Sequence, residues 1–556
     1  MNKSIKKLLN AKSKATIEHL NLSDQSLEQL PACVKERANL ESLDLSGNIL
    51  EEISQEIADL AALKVLNIEH NFIQQIPTTI ANLSKLQQLN CSNNKISEIS
   101  PAIGALTNLN ALAIQQNRLK TLPSEIANLK QLYALKLESN PLKEIPTVIG
   151  LLTNLRELDL SDTMISGLSA NFGALIHLKW LDLSINKLTF LSKELATCNQ
   201  LEYLDISYNQ VEDMAGELSA LSNLKELNIE GNPLKELPKV VCEFKNLLRL
   251  DLTAMRLVCL PSEIGRLRQL QYLNLSANYL EALPPEFGGL KGLKQLDLSD
   301  NQLDSLPATL SSLQQLEVLN IELNPLEHLP LVICELTALR DLDVTGIELK
   351  QLPFSIHKLI HLKRLDLSEN FLEDLPLQIG ELTALEILDL RENQLDKLPA
   401  SIAQLKSLKE LRLEYNLFVD LGTEIGELVK LKHLDISYNE LTDLPSNFTQ
   451  LQRLERLNLE GNALTRIPRE IFHLKRLKEL DLSDNEIAKL PDLIANLGAL
   501  RWLDLRNNRF TELPMEIGML ADSLEELYLE GNYFRVEDKE EIMDLLPNTN
   551  IYFDLA

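Results

Sequence analysis

A repeat of 23 residues runs along almost the whole chain, and it constrains the fold more than any other feature. Steps of 23 from Ile17 reach Leu40, Leu63 and finally Leu500 without an insertion or a deletion. Twenty-two repeats keep this phase, and a last repeat begins one residue late at Leu524. So short a repeat cannot bury its apolar side alone, so neighbours must stack and share a core. We expect one elongated body rather than several ordinary domains.

Each repeat has two parts with different apolar spacing. Position 4 is Leu in every repeat, and position 6 is Leu, Ile or Val except at Cys91, while positions 3, 5 and 7 are mostly polar. This alternation predicts a strand with one buried face. The second part, LPxxIxxL, has a three-residue spacing, and Pro fills position 15 in 16 of 22 repeats. Pro at this place is typical of the first turn of a helical segment.

These motifs resemble the 23-residue class of the leucine-rich-repeat superfamily over almost the entire chain. They are similar to those of plant intracellular Ras-group-related proteins, Ras-pathway scaffolds and long bacterial repeat proteins. The resemblance implies an α/β repeat solenoid, a curved horseshoe with one long parallel sheet on the concave face and short helical turns on the convex face. It also implies a ladder of Asn side chains at position 9. No particular partner follows, because a fold does not determine function.

The ends of the chain differ from the repeats. Residues 1–16, MNKSIKKLLNAKSKAT, carry five Lys and no acid. We predict a solvated basic cap helix there, and a targeting or lipid-contacting segment is the alternative. Residues 17–523 form the 22 repeats, and residues 524–556 form the last repeat and a C-terminal cap. Such caps would cover strand edges that are otherwise open to aggregation.

The composition limits the classes of partner. A net charge of −27 disfavours nucleic acid and anionic membranes, because each would approach a field of its own sign. A basic or mixed-charge protein fits better. No apolar run of about 20 residues occurs, so we expect no membrane span. The six Cys show no CxxC spacing, and Cys-rich end caps, common in secreted repeat proteins of this kind, are absent; both favour the cytoplasm.

Three motifs that suggest chemistry are explained better by the repeat. HKLIH, residues 357–361, has two His four residues apart but no evident third metal ligand. GGLKG, residues 288–292, lacks the GK[ST] that binds phosphate. Asp or Asn fills position 5 in 19 of 23 repeats, as at Asp159, Asp182 and Asp205, which indicates a polar solvent-facing ladder rather than a local catalytic pair. Calcium along this row is an open alternative. We predict no enzymatic activity, no cofactor, no metal and no small-molecule substrate.

Large side chains at positions 3, 5, 7 and 8 mark the predicted binding face, because these positions point to solvent. Both Trp of the chain lie at position 3, and six of its ten Tyr lie at these four positions. Trp, Tyr and Arg dominate interface hot spots. The first predicted partner-binding group is Trp180, Ile185, Tyr203, Tyr208, Arg249 and Tyr272, with Trp180 and Tyr203 as anchors.

A second group lies further along the chain: Arg412, Tyr415, His433, Tyr438 and Arg456. Its Arg residues suggest an acidic or phosphorylated segment, and its His suggests pH sensitivity. For both groups, cross-strand pairs that only support the sheet are the alternative. The sequence thus favours a non-catalytic protein-interaction scaffold in signalling or regulation. The rival is a secreted or surface-exposed adhesin or host-directed effector.

The Asn of position 9 is missing at Gln25, Thr163, Met255 and Ile347. The last three lie 92 residues apart, and each follows a repeat with Asn-Pro at positions 9 and 10. This period indicates tandem blocks of four repeats within residues 132–407. Pro removes a backbone N–H. One hypothesis is that this N–H would have been the partner of the next Asn, and the alternative is that both features were merely copied together.

Overall fold

The computed structural model describes residues 17–32, 34 and 37–554. The cap helix predicted at residues 1–16 lies outside these residues, as does Cys33. The chain forms two compact halves, an N-terminal half, Met1–Asn278, and a C-terminal half, Tyr279–Ala556.

In the N-terminal half each repeat forms a three-residue strand at positions 3 to 5. The strands are β1 (His19–Asn21), β2 (Ser42–Asp44), β3 (Val65–Asn67), β4 (Gln88–Asn90), β5 (Ala111–Ala113), β6 (Ala134–Lys136), β7 (Glu157–Asp159), β8 (Trp180–Asp182), β9 (Phe190–Leu191), β10 (Tyr203–Asp205), β11 (Asp213–Met214), β12 (Glu226–Asn228), β13 (Arg249–Asp251) and β14 (Tyr272–Asn274). Equal positions of successive repeats pair in parallel, as Leu43 does with Leu66. The two-residue strands β9 and β11 lie outside this series and pair with each other.

The C-terminal half continues the same pattern. Its strands are β15 (Gln295–Asp297), β16 (Val318–Asn320), β17 (Asp341–Asp343), β18 (Arg364–Asp366), β19 (Ile387–Asp389), β20 (Glu410–Arg412), β21 (His433–Asp435), β22 (Arg456–Asn458), β23 (Glu479–Asp481), β24 (Trp502–Asp504), β25 (Glu526–Tyr528) and β26 (Asn550–Tyr552). In both halves the position-4 Leu is buried, and positions 3 and 5 lie on the opposite side. We call the side that carries positions 3, 5, 7 and 8 the open face.

The second part of most repeats is a 3-10 helix. These helices span Gln55–Asp59, Thr78–Asn82, Pro101–Ala105, Ser124–Asn128, Thr147–Leu151, Ala170–Ala174, Lys193–Thr197, Gly216–Ala220, Lys239–Glu243 and Ser262–Arg266 in the N-terminal half. In the C-terminal half they span Pro285–Gly289, Ala308–Ser312, Ile333–Glu335, Phe354–Lys358, Leu377–Glu381, Ala400–Gln404, Thr423–Glu427, Ser446–Gln450, Arg469–His473, Asp492–Asn496 and Met515–Leu520. A three-residue apolar spacing suits this helix, which has three residues per turn. The predicted fold class, parallel strands with short helical turns, is confirmed.

The C-terminal end departs from the repeat. An α-helix, α1 (Val536–Leu545), follows the last repeat, and β26 then pairs in parallel with β25. Both lie inside the segment predicted as the last repeat and cap. Within the described part of the chain, no helix has the length and apolar character needed to cross a membrane.

The Asn at position 9 completes the turn of the preceding repeat. The Oδ1 atom of Asn48 accepts the N–H of Leu27 at 2.9 Å. Its Nδ2 atom donates to the carbonyl oxygens of Leu22 at 2.9 Å and of Leu45 at 2.8 Å. Leaving such a buried amide unpaired costs about 1–3 kcal/mol. Wherever position 9 is Asn, the ladder therefore joins a repeat to the one before it.

The Asn-Pro repeats close their turns differently, and the N–H hypothesis is wrong in its detail. In ordinary repeats the position-10 N–H donates to a carbonyl oxygen of the preceding repeat. The N–H of Phe72, for example, donates to the Leu50 oxygen at 2.8 Å. Pro at this position therefore removes no partner of the next Asn. The N–H that donates to the Asn of the next repeat is the one at position 11. In the Asn-Pro repeat the position-11 residue is Leu326, and its N–H donates instead to the Asn324 carbonyl oxygen of the same repeat at 2.9 Å.

The repeat after an Asn-Pro repeat accepts a backbone bond instead of supplying an Asn. The N–H of Glu327 donates to the Ile347 oxygen at 2.9 Å, and the N–H of Lys143 donates to the Thr163 oxygen at 2.9 Å. Because the position-11 N–H is already bonded within its own repeat, an Asn at 347 would lack the donor that its Oδ1 atom has in ordinary repeats. Ile347 is fully buried. Its apolar side chain fits this place.

Position 8 has a left-handed backbone in every repeat. Its φ is 53° at Ile185 and 52° at both Tyr208 and Tyr438, and Gly231 and Gly461 occupy the same position at 67° and 65°. A β-branched residue rarely adopts such a φ. Position 8 thus lies at a sharp turn that carries its side chain onto the open face.

Candidate protein-binding surface

The first predicted group forms a row along position 3 of the N-terminal half. Trp180 lies opposite Tyr203 on the paired strands β8 and β10. Their ring centroids are 5.1 Å apart, and the ring planes differ by 8°. Both side chains are half-buried. The predicted anchors are therefore a stacked pair, which supports the sheet and also presents an aromatic surface.

The row continues through Glu226 to Arg249 and Tyr272. The guanidinium carbon of Arg249 lies 4.1 Å from the centroid of the Tyr272 ring. A cavity of about 180 Å³ lies between Tyr203 and Tyr272, and Glu226 and Arg249 line it. Sequence reasoning missed Glu226, although its place at position 3 between the two predicted pairs could have indicated it.

Ile185 and Tyr208 occupy a separate column at position 8. Each is 54% exposed. The Tyr208 hydroxyl donates to the Glu230 carboxylate at 2.5 Å. That bond and burial, with further nearby carboxylates, raise the pKa of Tyr208. The structure thus divides the first group into two columns, a position-3 row and a position-8 pair.

The position-5 carboxylates are less exposed than the sequence suggested. Asp159 is 7% and Asp205 8% exposed, so the prediction of a solvent-facing ladder is wrong for these two residues. The Asp205 Oδ1 atom accepts the N–H of Ser207 at 2.8 Å and its hydroxyl at 2.6 Å. Burial raises the pKa of Asp182 to about 6. Carboxylates such as Asp205 thus hold the turn that follows their own strand.

The second predicted group lies in the C-terminal half, and its cations are already paired. The Arg412 guanidinium group forms ion pairs with the carboxylates of Glu410 and Asp389. Its Nη1 atom lies 3.2 Å from the Asp389 Oδ2 atom. Arg456 lies 3.0 Å from the Glu479 carboxylate. Because these guanidinium groups are neutralised, the expectation of an acidic or phosphorylated ligand loses its main support.

Tyr415 and Tyr438 of this group stack at position 8. Their ring centroids are 4.5 Å apart, and the planes differ by 2°. Tyr415 is 51% exposed and Tyr438 39% exposed. His433 lies with its Nδ1 atom 3.9 Å from Glu410. This group, too, divides into a position-8 column and a charged row on the strands.

A cavity of about 310 Å³ runs along the charged row. Its charged lining consists of Glu410, Asp435, Glu479 and Asp481 with Arg412, Arg456 and His433. Four carboxylates face two guanidinium groups and one imidazole, so the lining is acidic. Burial raises the pKa of Asp481 to about 6. Trp502 also lines the cavity.

Sequence reasoning left the aromatic residues at the C-terminal end out of the site. Trp502 and Tyr528 have ring centroids 5.6 Å apart, and Tyr528 stacks on Tyr552 at 4.5 Å. The phase of the repeat placed Trp502 and Tyr528 on the predicted binding face, but neither was included in a predicted group. It could not place Tyr552, because the repeat ends before β26.

The motifs that suggested chemistry have structural explanations in the fold. His357 bonds the Phe354 carbonyl oxygen through its Nδ1 atom at 2.7 Å. A Cβ atom on Gly288 would lie 2.4 Å from the Thr309 oxygen, so this Gly allows close packing of adjacent helices. Among residues 17–32, 34 and 37–554, no three His, Cys, Asp or Glu side chains are grouped to hold a metal ion.

Comparison with protein families decides the class of the molecule. Residues 80–198, 259–354 and 348–420 match the leucine-rich repeat region family, and residues 38–96, 176–234, 418–464 and 452–510 match the leucine rich repeat family. The chain belongs to the leucine-rich-repeat family. This family is an interaction fold. No curated protein matches this leucine-rich-repeat chain at a significant level.

Solved structures similar to this leucine-rich-repeat protein include two plant receptors. The plant peptide hormone receptor RGFR1 in complex with RGF2 has 25% identity over 93% of this chain and 95% of the receptor, with a TM-score of 0.59. The Arabidopsis receptor kinase HAESA, in complex with the peptide hormone IDA and the co-receptor SERK1, has 25% identity over 94% and 91%, with a TM-score of 0.57. TLR13 in its complex with ssRNA13 shares the fold, at 24% identity over 96% and 91% and a TM-score of 0.66.

Proposed function

We propose that this leucine-rich-repeat protein is a non-catalytic scaffold that binds a protein partner through its open face, in signalling or regulation. The stacked, half-exposed Trp180–Tyr203 pair is the observation that carries this proposal. Aromatic residues make up only 4% of the chain. Their stacking on the open face offers rigid apolar area of the kind found at interface hot spots.

The partner we propose is an extended polypeptide segment with basic side chains. RGFR1 is described as a peptide hormone receptor in complex with RGF2, and HAESA as a complex with the peptide hormone IDA, which supports a peptide as the kind of ligand. The charge of −27 and the acidic cavity beside Arg456 favour a basic segment. The first predicted group is the principal contact, and the second group is an additional contact area.

Cytoplasmic location is part of this proposal. All five described Cys are free, and four of them are buried. Thiols of this kind suit a reducing compartment. Cell fractionation tests the location, because a secreted or surface-exposed adhesin would appear in the medium or at the cell surface instead.

Affinity capture with a Trp180→Ala, Tyr203→Ala double variant tests the proposed function. We expect partners recovered by the wild-type protein to bind the double variant at least about tenfold more weakly, because two central aromatic contacts are lost. Phe354→Ala is the matched control, since Phe354 is 73% exposed and lies on a 3-10 helix away from the open face. Equal recovery by the wild-type protein and the double variant would show that the first group is not the binding surface.

A further inference from the structure

One arrangement of side chains occurs twice on the open face, ten repeats apart. The Tyr208 subsite consists of Tyr208 with Glu230 and Gly231 of the following repeat. The Tyr438 subsite consists of Tyr438 with Glu460 and Gly461. The strand and turn that carry each Tyr have the same sequence, LDISYN, at residues 204–209 and 434–439. Tyr415 is the third Tyr at position 8, but the repeat that follows it does not have Glu-Gly at positions 7 and 8.

Each Tyr is held in place although its side chain is exposed. The Tyr208 hydroxyl donates to Glu230 at 2.5 Å, and the Tyr438 hydroxyl donates to Glu460 at 2.6 Å. A Cβ atom on Gly231 would lie 2.9 Å from the Tyr208 ring, and one on Gly461 would lie 2.7 Å from the Tyr438 ring. The rings therefore use space that only Gly leaves free.

The polar groups around both subsites are also the same. The Nδ2 atom of Asn228 donates to Asp205 at 2.9 Å, and its Oδ1 atom accepts the N–H of Glu230 at 3.1 Å. In the second subsite Asn458 donates to Asp435 at 2.9 Å and accepts the N–H of Glu460 at 2.9 Å. The same hydrogen bonds thus hold the backbone of Glu230 and, ten repeats later, that of Glu460. These are the two residues that accept a hydrogen bond from a Tyr hydroxyl.

The groups that act on each Tyr hydroxyl are mostly carboxylates. Glu230 is the main group that raises the pKa of Tyr208, and Asp251 and Asp205 add to its effect. Glu460 is the main group that raises the pKa of Tyr438, and Asp484 contributes. A cation that approaches either ring therefore enters a negative field.

We infer that each subsite binds one basic side chain, Arg or Lys, of a partner segment, so that the chain has two equivalent sites for such segments. A guanidinium or ammonium group would donate to the Glu carboxylate, and its aliphatic part would pack on the exposed part of the Tyr ring. The Tyr is already ordered, so less side-chain freedom is lost on binding. This inference deepens the proposed function and rests on it.

Isothermal titration with a tetra-arginine peptide tests this inference, and a tetra-citrulline peptide serves as the neutral isostere. We expect the wild-type protein to bind two tetra-arginine peptides with similar affinity, and Glu230→Gln or Glu460→Gln alone to weaken one of the two sites about tenfold. In the double variant the affinity should fall about tenfold, because a hydrogen bond to a charged group is lost at each subsite. A Glu144→Gln, Glu512→Gln double variant changes the net charge equally at exposed residues outside both subsites.

Three results would overturn the inference: an equal loss of affinity in the control double variant, a single site in the wild-type protein, or equal binding of tetra-citrulline. Thermal melting of every variant confirms that it is folded. Failure here is distinguishable from failure of the proposed function. If Trp180→Ala, Tyr203→Ala abolishes partner capture while the Glu variants keep two peptide sites of full affinity, the scaffold function stands and the basic-side-chain subsites do not.

Discussion

Ile185 combines a β-branched side chain, a left-handed backbone and an exposed position. Its φ is 53°, and 54% of its surface is exposed. For a non-Gly residue this conformation costs roughly 1–2 kcal/mol, and the cost is largest for β-branched residues. Burial does not explain the choice of Ile there. A strained, exposed apolar residue beside Tyr208 supports the proposed contact surface.

Ile185→Asn should therefore stabilise the protein and weaken partner binding. Asn tolerates the left-handed region, so we expect the free energy of unfolding to rise by about 1 kcal/mol. Urea denaturation measures this gain, and affinity capture measures the loss of binding. As a control, Asn507→Ala places a residue of poorer left-handed propensity at position 8, where φ is 51°, and should be destabilising. A less stable Ile185→Asn variant would contradict the strain argument.

Among the elements, the Asn-Pro turn and the repeat that follows it form one structural pair. Leu326 closes the turn within its own repeat, and Glu327 donates to the Ile347 oxygen. Position 11 then needs no Asn from the next repeat. The features at Pro325 and Ile347 are thus linked by hydrogen bonds, although through a different N–H from the one that the sequence suggested.

A double-mutant cycle of Pro325→Leu with Ile347→Asn measures this link. Ile347→Asn alone should cost about 1–3 kcal/mol, because its Oδ1 atom lacks a donor. With Leu at 325 the ordinary turn can form, and the double variant should recover at least about 1 kcal/mol of that loss. Urea denaturation supplies the four free energies of unfolding. Additive effects would show that tandem duplication alone explains the pairing.

The sequence predicted the strands and their register because these depend on periods of 2 and 23 residues, while the resemblance to leucine-rich repeats implied the Asn ladder. It also located the aromatic residues of the open face. It could not predict that Arg412 bonds Glu410 and Asp389, because such pairs depend on side-chain conformations. β26 was missed because it lies beyond the last repeat, where no period remains.

For the whole molecule, the carboxylates fall into two classes with opposite pH behaviour. Burial raises the pKa of Asp182 and Asp481 to about 6 and that of Glu414 to about 8. At low pH these groups stabilise the folded state relative to the unfolded state. This stabilisation is lost as the pH rises through their folded-state pKa values. A hydrogen bond from Lys239 lowers the pKa of Glu263 to about 2. The stability that this group contributes to the folded state is therefore lost as the pH falls towards that value.

The melting temperature should therefore be higher near pH 5 than near pH 8. We expect a difference of about 3 °C or more, measured by circular dichroism at constant ionic strength. Weaker self-repulsion of the acidic chain at pH 5 acts in the same direction. An Asp182→Asn, Glu414→Gln double variant separates the two causes, because it should melt higher at pH 8 and show a smaller difference. An unchanged difference would attribute the effect to net charge alone.

The Asn ladder also gives the order in which the chain can fold during synthesis. An ordinary repeat obtains the acceptor for its position-11 N–H from the repeat that follows, as Leu27 does from Asn48. A repeat that has just left the ribosome is incomplete until its successor emerges, so folding trails translation by one repeat. The repeats with Asn140-Pro141 and Asn324-Pro325 are exceptions. Their position-11 N–H groups, those of Leu142 and Leu326, donate to the Asn140 and Asn324 oxygens of the same repeat. In a nascent chain that ends there the position-11 N–H already has its partner, while the next N–H, that of Lys143 or Glu327, still lacks the Thr163 or Ile347 oxygen.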